Sequence, residues 1–166
     1  MVPWCRPLDG ADIAAYLWGM SAALYNATIL RLAASIPHDR RLPDAQATSE
    51  KRSPICGSRV TVDVALDEQG RVTAIGQEVR ACALGQASAS LMGAHAIGRT
   101  ADELDAARDA LAGYLAGTRD DPGDWPGLDI FLPARDYSAR HPSIRLAFEA
   151  VAEAAREAGR RRDEAA

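Results

Sequence analysis

The sequence predicts an α+β domain, a small antiparallel sheet with helices packed on one side. Val60, Val62, Val64 and Leu66 alternate with Thr61, Asp63 and Ala65, which is the period of a half-buried strand. Val72 to Val79 returns after the short link Asp67-Glu-Gln-Gly70, so the pair reads as a β-hairpin over residues 59–79. Beyond it, apolar residues recur at helical rather than strand spacing.

The helices follow in order. Ser21 is placed to cap a first helix in which Tyr25, Thr28, Ile29, Leu32 and Ile36 share a face and Pro37 ends it. Residues 37–55 are polar and irregular, with one edge strand expected at 47–51. Leu84, Ala87, Ser88, Leu91 and His95 mark a second helix closed by Gly98. Thr100 and Glu103 have the spacing of a capping box, in which hydroxyl and carboxylate satisfy each other's free amides. Leu104, Ala107, Leu111, Tyr114 and Leu115 follow on one face, and Gly117 supplies the stop. Residues 118–141 hold three prolines and Trp125, a connection long enough to be functional or mobile. A last amphipathic helix is expected over 143–158.

The organisation expected is an N-terminal extension over 1–19, one domain over 20–159 and a charged tail over 160–166. Met20 is a sensible start, and the extension is read as not native. A chain of 166 residues fits one domain with its own core and needs no disulfide staples. Aromatic residues make up 5% of it, so close helix packing through alanine is favoured over a large aromatic core.

Charge excludes several partners. The formal net charge is −4, whereas phosphate backbones need clustered Lys and Arg on one face. The one basic run, Arg160 to Arg162, is followed at once by Asp163 and Glu164. No nucleic-acid partner is expected. No apolar run approaches the ~18 residues of a membrane span, and no signal-peptide pattern opens the chain. Cys5, Cys56 and Cys82 are an odd, sparse set, which fits a reducing compartment and a cytoplasmic protein.

The residues with most chemical promise are two of those cysteines. Cys56, in Pro54-Ile-Cys56-Gly57-Ser58, precedes the first hairpin strand, and Cys82 follows the second and leads a helix. A hairpin returns to its own starting edge, so the thiols are expected to be neighbours despite 25 intervening residues. A helix N-terminus favours a thiolate at Cys82, and thiolates suit zinc and iron–sulfur clusters. The plain alternative is that both are small buried apolar residues. His95 on an apolar stripe reads as a core histidine and His38 as a solvated turn residue. Hydrolase, phosphate-loop and calcium-loop patterns are missing.

Leu24-Tyr-Asn-Ala-Thr-Ile-Leu30, Pro54-Ile-Cys56-Gly57 and Cys82-Ala-Leu-Gly-Gln-Ala-Ser88-Ala-Ser90-Leu-Met92 resemble segments of the NifU/IscU/SufU family of iron–sulfur scaffolds. Arg140 to Val151 resembles its final segment, and the long 118–141 connection is similar to the SufU branch. The resemblance covers residues 22–158. It implies an IscU/SufU-like fold with three cysteines and an aspartate converging at one tip. Such proteins take sulfur from a cysteine desulfurase and build a cluster or relay the sulfur; in the SufU branch the site holds zinc.

Three positions depart from that pattern. Ser58 stands where the family has its aspartate. The third cysteine is replaced by Ser143 in an ungapped comparison, or by Pro142 in an IscU-like one. Leu30-Arg31-Leu32-Ala33 occupies the place of an Asp-His pair. Two thiolates fall short of the four ligands that zinc or a closed cluster wants. His141 is the nearest substitute, against its reading as a surface residue at a helix foot, and a homodimer sharing a cluster would also complete four.

The resemblance thus implies a scaffold or carrier rather than a turnover enzyme. Cys56 and Cys82 would hold iron, zinc, a transient cluster or persulfide sulfur, and cysteine desulfurase and other assembly proteins would be its partners. The rival expectations are a metal-free interaction module of the same fold, and a sulfurtransferase-like relay with Cys82 as acceptor.

Overall fold

A computed structural model describes residues 22–166; the extension over 1–19, Cys5 and the Ser21 cap lie outside the described residues. Three strands form one antiparallel sheet in chain order: β1 (Ala47–Arg52), β2 (Arg59–Leu66) and β3 (Val72–Arg80). The expected hairpin is β2–β3, running from the Arg59–Arg80 pair to the Leu66–Val72 pair with an irregularity at Ala65/Leu66. The edge strand pairs Ala47 with Val64 and Arg52 with Arg59.

Among the described residues, four helices accompany the sheet beyond the helical stretch at 22–24: α1 (Ala27–Ala33), α2 (Ala83–His95), α3 (Ala101–Ala116) and α4 (His141–Ala165). The last is the spine, packing on β1 and β2 with one side and on α2 and α3 with the other. Val60, Val62 and Val64 are fully buried, as are Ala147, Phe148, Ala150, Val151, Ala154 and Ala155 of α4. So many alanines let the helix axis approach the sheet closely, and few large side chains are needed to fill the core.

The other face of the sheet is crossed by the chain between α1 and β1. Gly76 makes that crossing possible: a Cβ there would stand 2.5 Å from the Arg40 carbonyl oxygen. The fully buried Asp63 carboxylate ties the crossing down. It accepts from Arg41 Nε (2.8 Å) and Nη2 (3.0 Å), from the Leu42 amide (2.8 Å) and from the Thr48 hydroxyl (2.5 Å). Burial raises its pKa, but these donors outweigh that and hold it below the ordinary carboxylate range.

Several boundaries differ from the sequence expectation. The run expected as one helix is interrupted: residues 22–24 are helical, the chain leaves the helix at Tyr25-Asn26, and α1 starts again at Ala27 with Asn26 Oδ1 accepting from the Ile29 amide at 3.1 Å; a strong N-cap residue inside the periodic run restarts the helix. The 118–141 connection is packed. Two 3-10 helices (Leu128–Asp136 and Ser138–Arg140) bury Leu128, Phe131 and Ala134, and Trp125 Nε1 donates to the Leu91 carbonyl at 2.9 Å.

The residues expected as a charged tail over 160–166 continue α4 to Ala165. Arg160 bridges Glu157 and Glu164, each about one turn away on either side, and Arg162 donates to the Asp67 carbonyl at 3.1 Å. Ion pairs at helical spacing and a docking point on the hairpin turn keep the helix going. The Thr100–Glu103 capping box and the left-handed Gly117 stop are present as expected. Among the described residues no helix is long and apolar enough to cross a membrane.

Candidate metal and sulfur site at the cysteine tip

Three separate stretches of chain meet at one end of the sheet. The first is the β1–β2 turn, closed by the Ser53 amide donating to the Ser58 carbonyl at 2.8 Å. Inside it, Gly57 takes φ 71° and bends the chain back. The buried Ser53 hydroxyl accepts from the amides of Ile55 (3.4 Å) and Cys56 (3.5 Å). Cys56 is left exposed at the head of the turn.

The second stretch is the junction of β3 and α2. Cys82 is the extended N-cap residue of α2, but its side chain makes no capping bond. The sulfur is therefore not spent on the helix end and turns to the third stretch, the first turn of α4. Gly85 allows α2 and α4 to come together there, since a Cβ on it would lie 3.2 Å from the Ser143 carbonyl oxygen and 2.7 Å from Ala81 Cβ. The Ser88 hydroxyl donates to the Ile144 carbonyl at 2.5 Å and fixes the same junction.

Four side chains converge as a result. Cys56 Sγ lies 3.0 Å from Ser58 Oγ and 3.2 Å from Ser143 Oγ. The two hydroxyls are 3.2 Å apart, and Cys82 Sγ donates to Ser143 Oγ at 3.5 Å. Ser143 thus touches both sulfurs and Ser58. It is the residue that the ungapped comparison set at the third-cysteine position, whereas Pro142 appears in none of these contacts.

The hydroxyl donors bear chiefly on one of the two sulfurs. Burial pushes the Cys56 thiol up, but hydrogen bonds from Ser143, Ser53 and Ser58 and from the Ser58 amide outweigh it, and the pKa falls to about 6. That lowering favours the Cys56 thiolate, the form that attacks sulfur and binds metals. Cys82 stands at the helix N-terminus expected for it, and the hydroxyl donors gather on Cys56; Ser53 carries no sequence signal beyond being a serine in a turn.

His141 opens α4, and its Nε2 lies 2.8 Å from the Ala134 carbonyl oxygen. Among the described residues no three His, Cys, Asp or Glu side chains gather into a set that could hold a metal ion. The donors at the tip are two thiols and two neutral hydroxyls, which do not make the closed four-donor set of a resident zinc. His95 packs edge-on against Trp125 with ring centroids 6.3 Å apart, and the exposed His38 sits in a turn with φ 58°.

Comparison with known proteins gives a consistent set of relatives. The family model described as the NifU-like N terminal domain matches residues 24–122, more than half of the chain. The iron–sulfur cluster assembly scaffold protein IscU of Thermotoga maritima is 28% identical over 137 residues, covering 82% of this chain and 96% of that protein. The crystal structure of a nitrogen-fixing NifU-like protein (N-terminal) from Brucella abortus superposes with a TM-score of 0.79 at 42% identity, covering 85% of this chain and 98% of that one. A proposed iron–sulfur cluster assembly scaffold protein for the SUF system from Fervidobacterium islandicum AW-1 has the same fold, with a TM-score of 0.75 at 21% identity, 81% of this chain and 98% of that one being covered.

Proposed function

This chain belongs to the NifU-like N-terminal domain family, and from that membership we propose that it is an iron–sulfur cluster assembly scaffold or carrier working through Cys56 and Cys82. The observation that supports the reading is the convergence of Cys56, Ser58, Cys82 and Ser143. With Ser143 taken at the third-cysteine position, as the ungapped comparison has it, they are the positions at which the family resemblance implies three cysteines and an aspartate.

The donor set decides the kind of scaffold. Two thiolates hold iron or a nascent cluster as passing cargo, because a closed cluster site wants about four ligands. Two cysteines from each of two copies would complete that number. Sulfur arrives more simply. The Cys56 thiolate attacks the outer sulfur of a persulfide on a cysteine desulfurase; a new S–S bond forms at Cys56 as the donor's S–S bond breaks, and the donor leaves as a thiolate. No net oxidation occurs, and Cys56 holds the transferred sulfur beside Cys82. The Ser58 and Ser143 hydroxyls stabilise the attacking thiolate without competing for the sulfur, so the chain acts as a stoichiometric carrier rather than a turnover enzyme.

A second reading rests on the same two serines. With the aspartate and third thiolate both replaced, the fold would serve as a metal-free module that binds and modulates assembly partners. Iron, zinc and acid-labile sulfide content of anaerobically purified protein separates the two, beside Cys56→Ser and Cys82→Ser variants. Metal or sulfide that vanishes in both variants supports the scaffold. Wild-type protein that is empty and cannot be reconstituted with iron and sulfide favours the module.

A further inference from the structure

The end of the sheet that carries the cysteines also carries three arginines in one cross-strand row. Arg52 pairs with Arg59, and Arg59 with Arg80. All three sit on the face turned away from α4, because the alternate positions Val60, Val62 and Val64 point into the apolar core that α4 packs on. Like charges directly opposite in a sheet are destabilising. The chain's net charge is −4, so the row is not one part of a generally basic surface.

Its counter-charges fall short. One rung further in, Glu50 and Glu78 are shared among the three guanidiniums. Arg52 reaches Glu50 at 2.6 Å and Arg80 reaches Glu78 at 3.3 Å, while Arg59 lies 3.8 Å from Glu50 and 3.5 Å from Glu78. Nearby Lys51 is occupied by Glu153 at 3.1 Å. Three cations against two anions leave one positive charge unmatched, and the side chains of Arg52 and Arg80 are 66% and 71% exposed. A second arginine cluster, at the C-terminal end of α4, is matched, while Arg71 and Arg99 share Glu103 at the far end of the hairpin. Arg156 meets Asp102 and Asp105, Arg160 and Arg161 meet Glu157, and Arg162 meets Asp163.

The row is the last rung before the cysteine turn. Ile55, 65% exposed, and the exposed Cys56 lie just beyond Arg52 and Arg59, and Cys82 follows Arg80 by two residues. We propose that Arg52, Arg59 and Arg80 form a docking strip for an acidic segment of the protein that hands sulfur to Cys56, with Ile55 as its apolar rim contact. The proposal rests on the reading of Cys56 as a sulfur acceptor. Partner carboxylates complete the charge that Glu50 and Glu78 leave short, and their pull orients the donor over Cys56. Such rim charges act mainly on association rate and salt dependence.

The test measures binding of the same organism's cysteine desulfurase to wild type, to Arg52→Glu/Arg80→Glu and to Arg160→Glu/Arg161→Glu. Association of wild type should weaken steeply as salt shortens the screening length from about 14 Å to about 6 Å. The tip variant should bind about tenfold or more weakly through a slower on-rate, with circular dichroism and Cys56 alkylation unchanged, while the α4 variant binds as wild type. Equal binding by the tip variant, or equal weakening in the α4 variant, overturns the docking strip. A second arm follows a fluorescent octaglutamate peptide by anisotropy. If the desulfurase does not bind but the peptide binds wild type and not the tip variant, the strip stands and the choice of sulfur donor fails. If neither binds wild type, the strip is overturned.

Discussion

The two ends of the β2–β3 hairpin solve opposite problems. At the turn end, polar groups are tied down. Asp67 Oδ1 accepts from the Gln69 and Arg71 amides at 2.9 Å each, Arg162 reaches across from α4 to the Asp67 carbonyl, and Val72 bonds into the Gly98–Arg99 turn ahead of α3. At the cysteine end, the turn projects an exposed thiol, a glycine in the left-handed region with nothing within 4 Å of a Cβ, and an exposed isoleucine. The Ser53 hydroxyl closes the turn, while the Ser58 and Ser143 hydroxyls collect on sulfur. One end of the same sheet is built to hold, and the other to present a reactive atom.

That contrast can be broken or sharpened by substitution. The largest effect is expected from Phe148→Ala on the shared spine: Phe148 is fully buried and meets Trp125 edge-on at 5.2 Å. Urea unfolding should show a loss of about 3–5 kcal/mol, and both ends should loosen together. If hydrogen exchange instead opened only the cysteine end, α4 would not be the common support.

Next comes Ser143→Ala, which removes a donor from the Cys56 thiolate. The pH midpoint of Cys56 alkylation should rise from about 6 by about one unit. The sign follows from the bond favouring the charged form: losing it makes the thiol harder to ionise. A midpoint that stays near 6 would assign the lowering to the Ser53–Ser58 turn alone. Asp67→Ala at the closed end should cost about 1 kcal/mol of stability and leave the alkylation profile where it was. Cys56→Ala should have the smallest effect on unfolding, within about 0.5 kcal/mol for an exposed side chain, while abolishing whatever sulfur or metal the tip carries.

How much of this was readable beforehand follows the range of the interactions. The alternation of Val60 to Leu66, the Thr100 capping box and the positions of Cys56 and Cys82 at strand and helix boundaries are local patterns, and they stand in the structure. The boundary errors came from rival local signals, such as Asn26 capping inside a periodic run. The packed 118–141 segment depends on Trp125 and Phe131 finding a core made by distant helices, which no local period announces. At the site, the hydroxyl network joins Cys56 to Ser143 across 87 positions. The family resemblance offers Ser143 and Pro142 as alternatives, and the three-residue spacing that puts Gly85 and Ser88 on one side of α2, against the first turn of α4, brings Ser143 to the sulfurs.

The most direct test of the central claim is to map sulfur on the protein after incubation with cysteine desulfurase and L-cysteine. Intact-mass and peptide mass spectrometry would be read on wild type, Cys56→Ser and Cys82→Ser. The expected result is one added sulfur on Cys56, retained in Cys82→Ser and lost in Cys56→Ser. Sulfur found on Cys82 alone, or on neither cysteine under conditions in which the desulfurase turns over, would contradict the assignment of Cys56 as the working atom of the tip.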